Sequence, residues 1–408
     1  MGARRQSSEK SDPATGRSVD HSEARQRELF SPDHAPDFFA RFPAAPAVFV
    51  LRGADENAEP YVGKTANLRR RLQRLLAPPE SQSKRLNLRQ RVARIEYQVT
   101  GSDFESGFLL YRAMRLEFLA SYQKRLRLHA APLIKLNMEN AYPRAYVTTK
   151  LGRLTGRSLY YGPFPSRAVA EKFANDSLDL FKMRRCTFEL NPDPGFPGCV
   201  YSEMKMCLAP CFKGCTDEAY AAEVARVQAY FDSGGESLLK ELEAERDRLS
   251  GDLDFEGAAQ QHAKITKIKA ILSACDEICR RLDQLDAVVV QPSSQPDSVA
   301  LFRFSKGELA GPEQFITGQQ DEDESMSARL RAALEQLSPA GARSAAQFSE
   351  ELALLKRWYY RTHKVGEIIF ADRNGEISLR KLGNAVGRVR RGEKEMLSSP
   401  QPEQQPLP

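Results

Sequence analysis

PAVFVLRGADENAEPYVGKTANLRRRLQRLL, residues 46–76, decides how the front of this 408-residue chain folds. After Pro46, the run Ala47-Val48-Phe49-Val50-Leu51 has the β-branched and aromatic content of a strand. Residues 53–59 have turn composition, and Pro60-Tyr61-Val62-Gly63 reads as a second short strand, so the pair predicts a hairpin. Asn67 stands where it can cap a helix over LRRRLQRLL. In that helix Leu68, Leu72, Leu75 and Leu76 form one apolar stripe, and arginines take the other faces.

Outward from this hairpin and basic helix, residues 94–100 alternate as a further strand through Ile95, Tyr97 and Val99. Ser102 and Glu105 are spaced as a capping box that opens a long helix from 103 to about 128, so a first α+β domain spans 41–145. SLYYGPFPSRAVAEKFANDSLDLFK, starting at Ser158, opens on a glycine- and proline-rich turn and continues with helical spacing, which marks a new module, a cysteine-rich region over 146–220. From Thr216 to about Leu285 the pattern is helical, broken at Ser233-Gly234-Gly235 and Ser250-Gly251-Asp252, and predicts a helical hairpin over 221–284. In its second arm Phe255, Ala258, Ala259, His262, Ile265, Ile268 and Leu272 recur at three and four residues. Such a seam serves either as core or as the surface for a partner helix.

Residues 287–290 and 299–304 read as strands and 328–337 and 349–360 as helices, with Trp358-Tyr359-Tyr360 in the core, giving a small α/β unit over 285–392. Residues 1–40 and 393–408 lack an apolar period and are predicted to be disordered tails. The fold class expected is therefore a multidomain α+β protein.

Hydrophobic residues make up 41% and charged residues 28%, the balance of a globular chain. No apolar run approaches the roughly 18–20 residues that span a bilayer, and no signal-peptide core is visible, so the expected compartment is the cytoplasm. A formal charge of +6 says little for this length, but its distribution says more. Arg69, Arg70, Arg71, Arg74, Lys84, Arg85, Arg89, Arg91 and Arg94 are interrupted only by Glu80. Such a surface attracts phosphates, and Arg69, Arg70, Arg74, Lys84 and Arg85 are the candidate DNA contacts; the alternative is a solvated helix face. The histidines, at 21, 34, 129, 262 and 363, are scattered, and none pairs with a serine or cysteine nucleophile.

Five of the seven cysteines fall between Cys186 and Cys215, which in a reducing compartment favours a metal site over disulfides. Thiolates at Cys186, Cys199, Cys207 and Cys211 suit zinc or an iron-sulfur cluster, and spacing alone does not choose between them. Cys215 is a spare, while Cys275 and Cys279, one helical turn apart, read as buried small hydrophobes.

Taken together, Ala47-Val48-Phe49, Tyr61-Val62-Gly63-Lys64 and Asn67-Leu68-Arg69-Arg70-Arg71 resemble the GIY-YIG nuclease domain as it occurs in the UvrC/Cho family. The four-cysteine segment with Cys207-Leu208-Ala209-Pro210-Cys211, preceded by Tyr161-Gly162-Pro163-Phe164-Pro165-Ser166, resembles that family's four-cysteine region. Leu253-Asp254-Phe255-Glu256-Gly257-Ala258-Ala259 resembles its UVR motif. The resemblance covers roughly residues 45–275. Residues 285–290 and 301–309 faintly resemble the opening of the family's RNase H-like lobe, after which too little chain follows for the whole lobe. Any incision would then come from the first domain, as in Cho.

The resemblance implies nucleotide excision repair, DNA as ligand, a 4Fe-4S cluster at Cys186, Cys199, Cys207 and Cys211, and UvrB as a partner through Phe255, Ala258 and Ala259. His262-Ala263 departs from the family's Arg-Asp pair at the last of these surfaces. It also implies Tyr61, Lys64 and Arg71 as catalytic residues. Hydrolysis of a phosphodiester further needs a divalent metal held by a carboxylate. Ala47 replaces the family's glycine, Phe49 its tyrosine and Leu75 its further aromatic or histidine. Leu110 stands at its metal-binding glutamate, and its asparagine has no counterpart before Asn137. Glu117 offers a carboxylate only after a seven-residue shift, and Glu105 reads as a cap. Two expectations follow: a DNA-binding or adaptor protein with a degenerate nuclease site, or an active metal-dependent Cho-like endonuclease. A carboxylate facing Arg71 would separate them.

Overall fold

Both faces of the strand at 47–52 are covered, and what covers them organises the molecule. The structure, a computed structural model, describes residues 25–55, 57–78, 86–152, 156–318, 325–339 and 344–393. The first sheet contains β1 (Gln26–Leu29), β2 (Ala47–Arg52), β3 (Tyr61–Thr65) and β4 (Arg94–Val99), all antiparallel in the order β1-β4-β2-β3, with α1 (Leu68–Leu76) between β3 and β4. Phe49, Leu51, Ile95 and Tyr97 on one face pack against the four leucines of α1 and against Phe30, Phe38, Phe39 and Phe42. On the other face, Val48, Val50 and Val62 lie under Phe104, Phe108 and Leu109 of α2 (Asp103–Glu117).

The expected tail over 1–40 is corrected by β1 and by a 3-10 turn at Pro36–Arg41. The phenylalanines at 30, 38, 39 and 42 are buried, and these anchors order a polar stretch that has no period of its own. The helix expected to reach 128 stops at Glu117. Phe118 leaves helical dihedrals (φ −132°, ψ 49°), buries its ring beneath the Arg125 guanidinium at 4.0 Å, and a short α3 (Tyr122–Leu126) follows. Half of the capping box forms: Ser102 Oγ accepts from the Glu105 N–H at 3.1 Å, but the Glu105 carboxylate accepts from the Gly101 N–H, 2.8 Å, rather than from Ser102.

The boundary at 145 moves to about 131. β5 (Leu133–Asn137) pairs with β6 (Arg144–Thr148) and β7 (Leu159–Gly162), not with the first sheet. Beyond β7 come α4 (Arg167–Leu178), a loop with the single turn α5 (Val200–Glu203), and then α6 (Asp217–Asp232), α7 (Glu236–Gly251) and α8 (Phe255–Leu272). The expected hairpin is thus three helices, of which α7 and α8 form the antiparallel pair. The chain returns to this sheet as β8 (Arg280–Arg281), at its edge beside β7. Ile134, Tyr161, Phe173, Val224, Tyr230, Leu238 and Ile268 share one core, so the expected units 146–220 and 221–284 belong with β5–β8 in a single body. Cys275 and Cys279 lie beyond α8 in a turn, half-buried, and Cys279 Sγ donates to the Pro163 carbonyl at 3.1 Å.

The C-terminal unit is a third antiparallel sheet of β9 (Ala287–Pro292), β10 (Ser298–Ser305), β11 (Glu308–Ile316) and, after α9 (Met326–Gln336) and α10 (Ala345–Tyr359), β12 (Glu367–Phe370), in the order β11-β10-β9-β12. The last helix, α11 (Leu379–Arg390), joins α9 over one face of this sheet, and α10 with α2 covers the other. Trp358 is buried as expected, while Tyr359 and Tyr360 are half-buried. α2 is therefore a layer shared by the first and third sheets, with the rings of Phe104 and Phe108 edge-on to Phe302 at 4.9 and 5.7 Å. Its lead-in lies so close to the end of β9 that a Cβ at Gly101 would sit 2.2 Å from the Pro292 carbonyl oxygen, a spacing only glycine allows. Among the described residues no helix is long and apolar enough to cross a membrane.

Candidate nuclease site and cysteine segment

Side chains alternate along β3, so Tyr61 and Gly63 face α1 while Val62 and Lys64 face α2. Asn67 caps α1 by accepting from the Arg70 N–H at 2.9 Å, which sets the helix phase and turns Arg71 inward over β3. Arg71 Nη2 donates to the Tyr61 hydroxyl at 2.8 Å, and its buried Nε has no partner. The ring of Phe49 lies over Gly63, 3.2 Å from where a Cβ would be, and 6.1 Å between centroids from Tyr61. Among the described residues no carboxylate pairs with Arg71.

Lys64 is on the opposite face. It donates to Asp103 at 2.6 Å, and Asp103 also accepts from Arg361 of the C-terminal unit at 2.5 Å. Burial alone would raise the Asp103 carboxyl, but the bond from Lys64, followed by Arg361, holds it below its usual range. The structure thus joins Tyr61 to Arg71 and separates both from Lys64.

The carboxylates weighed for the metal are engaged elsewhere. Leu110 packs half-buried against the core between the first and third sheets. Glu105, 1% exposed, is pushed up to about 7 by burial, against the bond from Gly101 N–H. Glu117 accepts from Arg52 Nη1 and Nη2 at 2.9 and 2.5 Å. Arg52 also reaches Glu96 at 2.9 Å, and Arg94 and Arg25 close on Glu96 at 3.2 and 3.5 Å. Burial favours the neutral form of Glu96, yet Arg52, Arg94 and Arg25 together keep its carboxyl below the ordinary range. This charged cluster is absent from the sequence-derived site. Its one local signal is Glu96 itself, which strand alternation puts on the α2-facing side opposite Val50.

Of the candidate DNA contacts, Arg70 and Arg74 are exposed on α1, whereas Arg69 Nε donates to the Phe42 carbonyl at 2.8 Å. Lys84 and Arg85 lie outside the described residues. Arg89, from the same basic run, donates to the carbonyls of Leu76 at 2.7 Å, His34 at 3.2 Å and Pro32, and so holds the strand β1 segment to α1.

In the segment between α4 and α6, Cys211 is buried with Leu190 and Ala209, and Cys186 packs beside them. Cys199 caps α5, Cys207 Sγ accepts from the Ala209 N–H at 3.3 Å, and Cys186 Sγ accepts from Arg184 Nη1 at 3.2 Å. Burial, against the bond from the Ala209 N–H and with the neighbouring Cys186, Cys211 and Cys199, pushes the Cys207 thiol up to about 11. Among the described residues no three histidine, cysteine or acidic side chains are gathered closely enough to ligate one ion as they stand. The donor set nevertheless suits a thiolate-ligated centre in kind, with N–H groups aimed at two sulfurs and an orphaned Arg184 Nη2 beside Cys186. On α7–α8, Phe255 and Ala259 are exposed and Ala258 half-buried, next to an exposed Leu253.

Residues 131–230 match the family model of the UvrC/Cho excinuclease middle domain. The chain is similar to the UvrABC system protein C of Carboxydothermus hydrogenoformans, 29% identical over 286 residues that make up 69% of this chain and 46% of that protein. It is similar also to that of Methanothermobacter thermautotrophicus, 26% identical over 68% of this chain and 46% of the relative, and to that of Acetivibrio thermocellus, 26% identical over 82% and 54%. The chain spans about half the length of the curated relatives it matches. No solved structure matches it significantly.

Proposed function

Because the chain belongs to the UvrC/Cho family, we propose that it is a cytoplasmic nucleotide excision repair protein that binds DNA and carries a degenerate nuclease site. The observation that carries this reading is a Tyr61–Arg71 pair to which, among the described residues, no carboxylate is joined. A hard divalent cation needs carboxylate oxygens, and among the described residues the side chains joined to this pair supply none, so no hydrolytic step is assigned here. What the pair retains is phosphate recognition. The Tyr61 hydroxyl accepts from Arg71, which leaves its own proton free to donate to a phosphate oxygen, and Arg70 and Arg74 add exposed charge on α1.

In the same reading Cys186, Cys199, Cys207 and Cys211 hold a 4Fe-4S cluster, or zinc in its place, whose bound form would cross-link the long loop between α4 and α6. Phe255, with the exposed Leu253, offers apolar area to a UvrB-type partner at the α7–α8 turn.

The test is incision of a lesion-containing duplex with magnesium or manganese, with and without UvrA and UvrB, beside an Arg71→Ala control. Binding without incision is expected. Incision that is lost in Arg71→Ala would replace this reading with that of an active Cho-like endonuclease.

A further inference from the structure

Arg184 is the largest fully buried side chain of the molecule's described residues, at 1% exposure. Its Nε donates to the Tyr142 carbonyl at 2.9 Å, and Nη1 donates to the Phe188 carbonyl at 3.1 Å and to Cys186 Sγ at 3.2 Å. Nη2 is buried without a partner, and among the described residues no carboxylate pairs with the group. A guanidinium stays charged in proteins, and burying one without a counter-charge costs several kcal/mol. Two carbonyls are dipoles and a thiol is neutral, so neither offsets a full positive charge. The ionisable side chain bonded to the guanidinium is Cys186, whose neighbours in the segment are Cys207, Cys199 and Cys211; the Tyr220 hydroxyl accepts from the Arg184 backbone N–H and donates to the Pro143 carbonyl, so it is a neutral partner.

We propose that Arg184 is the buried counter-cation of a thiolate-ligated centre at these four cysteines, a positioning residue that orients Cys186 Sγ and balances the centre's excess negative charge. The proposal rests on the four-cysteine reading above. Four thiolates around a zinc ion, or around a 4Fe-4S core of charge two plus, each leave a net charge of two minus. A fixed cation one hydrogen bond away offsets half of it. The same cation destabilises the fold when the sulfurs are protonated thiols. Arg184 therefore couples two quantities in opposite directions: it favours the metal-loaded segment and disfavours the empty one.

That opposition makes the test. Full-length chain, wild type and Arg184→Met, is stripped with chelator and reconstituted with zinc alone or with iron and sulfide. Metal per chain, chelator competition and denaturant midpoint are then measured with and without metal. Arg184→Met should weaken metal retention on the order of tenfold or more, while the metal-free chain unfolds at an equal or higher denaturant concentration. A purely structural role, in which Arg184 ties together the carbonyls of Tyr142 and Phe188, predicts a lower midpoint in the metal-free chain and overturns the proposal, as does unchanged metal retention. Should Arg184→Met not fold, Arg184→Lys decides: retention close to wild type supports a charge role, and retention as poor as in Cys186→Ser overturns it. A wild-type chain that takes up neither metal defeats the four-cysteine reading itself, a result distinct from failure of the arginine's role.

Discussion

The two faces of β3 treat charge in opposite ways. On the α1 side, Arg71 meets, among the described residues, the hydroxyl of Tyr61 and no carboxylate, and its Nε is buried without a partner. On the α2 side, the cations are matched: Lys64 and Arg361 to Asp103, and Arg52, Arg94 and Arg25 to Glu96 and Glu117. A cation with no carboxylate beside it among the described residues can receive an anion, whereas matched charges beneath a helix hold that helix in place. The carboxylates Glu96, Glu117 and Asp103 lie on the structural side, and the groups proposed to receive phosphate lie on the other. This separation, more than the loss of any single residue, distinguishes a DNA-binding surface from a metal-dependent nuclease.

The largest effect expected from breaking the matched side is at Arg52. Arg52→Met leaves Glu96 and Glu117 facing one another with only Arg25 and Arg94 nearby, and both carboxylates are under 10% exposed. Removing one member of a buried pair costs roughly 3–5 kcal/mol. Because Arg52 keeps 27% of its side chain in water, roughly 2–3 kcal/mol is expected here. The check is the denaturant midpoint of the full chain at neutral pH. An unchanged midpoint would mean that the cluster does not hold α2. Below the depressed folded-state value of Glu96 the effect should shrink, since stability from that carboxylate is present above the unfolded value and lost as pH falls through the folded one.

Glu105 gives a pH dependence of the opposite sign. Its carboxyl is raised to about 7 in the fold against 4.5 unfolded, so between these values the folded state holds a proton that the unfolded state has released. Stability therefore falls as pH rises from 4.5 to 7. Glu105→Gln keeps an oxygen to accept from the Gly101 N–H and removes the titration. It should stabilise the chain by roughly 3 kcal/mol at pH 8 and by only a few tenths at pH 4.5. A stability difference that does not vary with pH would show that Glu105 is ionised in the fold.

Where these charges lie was only partly legible in the sequence. The hairpin β2–β3 and α1 follow from local alternation and a cap, and both form at 47–76 with Asn67 capping as expected. The split of Lys64 from Tyr61 was available too, since residues three apart on a strand face opposite ways. The charged cluster was not, because Arg52 meets Glu96 and Glu117 across 44 and 65 residues of chain. Non-local pairing likewise hid β8, which joins the second sheet beside β7 only after α4 to α8 have intervened. β11 was missed because Gly311 and Pro312 break its pattern; both are tolerated on a strand at the sheet's edge. β1 was missed because a polar strand leaves no apolar period, and its buried phenylalanines lie outside it.

The smallest effect is expected where the matched side reaches the surface, at Asp103. This carboxylate joins Lys64 of the first sheet to Arg361 of the C-terminal unit, with side chains 31% to 50% exposed. Exposed pairs of this kind contribute about 0–1 kcal/mol, so Asp103→Asn should lower the denaturant midpoint barely measurably, and less in high salt than in low. Because the folded-state value is depressed, even this contribution should be present above the ordinary carboxylate range and vanish as pH falls through the folded value. The informative quantity is DNA binding measured on the same variant. Releasing Lys64 and Arg361 adds two unpaired cations on the α2 side. If phosphate is received on the α1 side alone, the slope of affinity against salt stays at its wild-type value, while Arg70→Ala or Arg74→Ala lowers it by about one each. A steeper slope in Asp103→Asn would instead place phosphate on both sides of β3 and undo the division of labour between its faces.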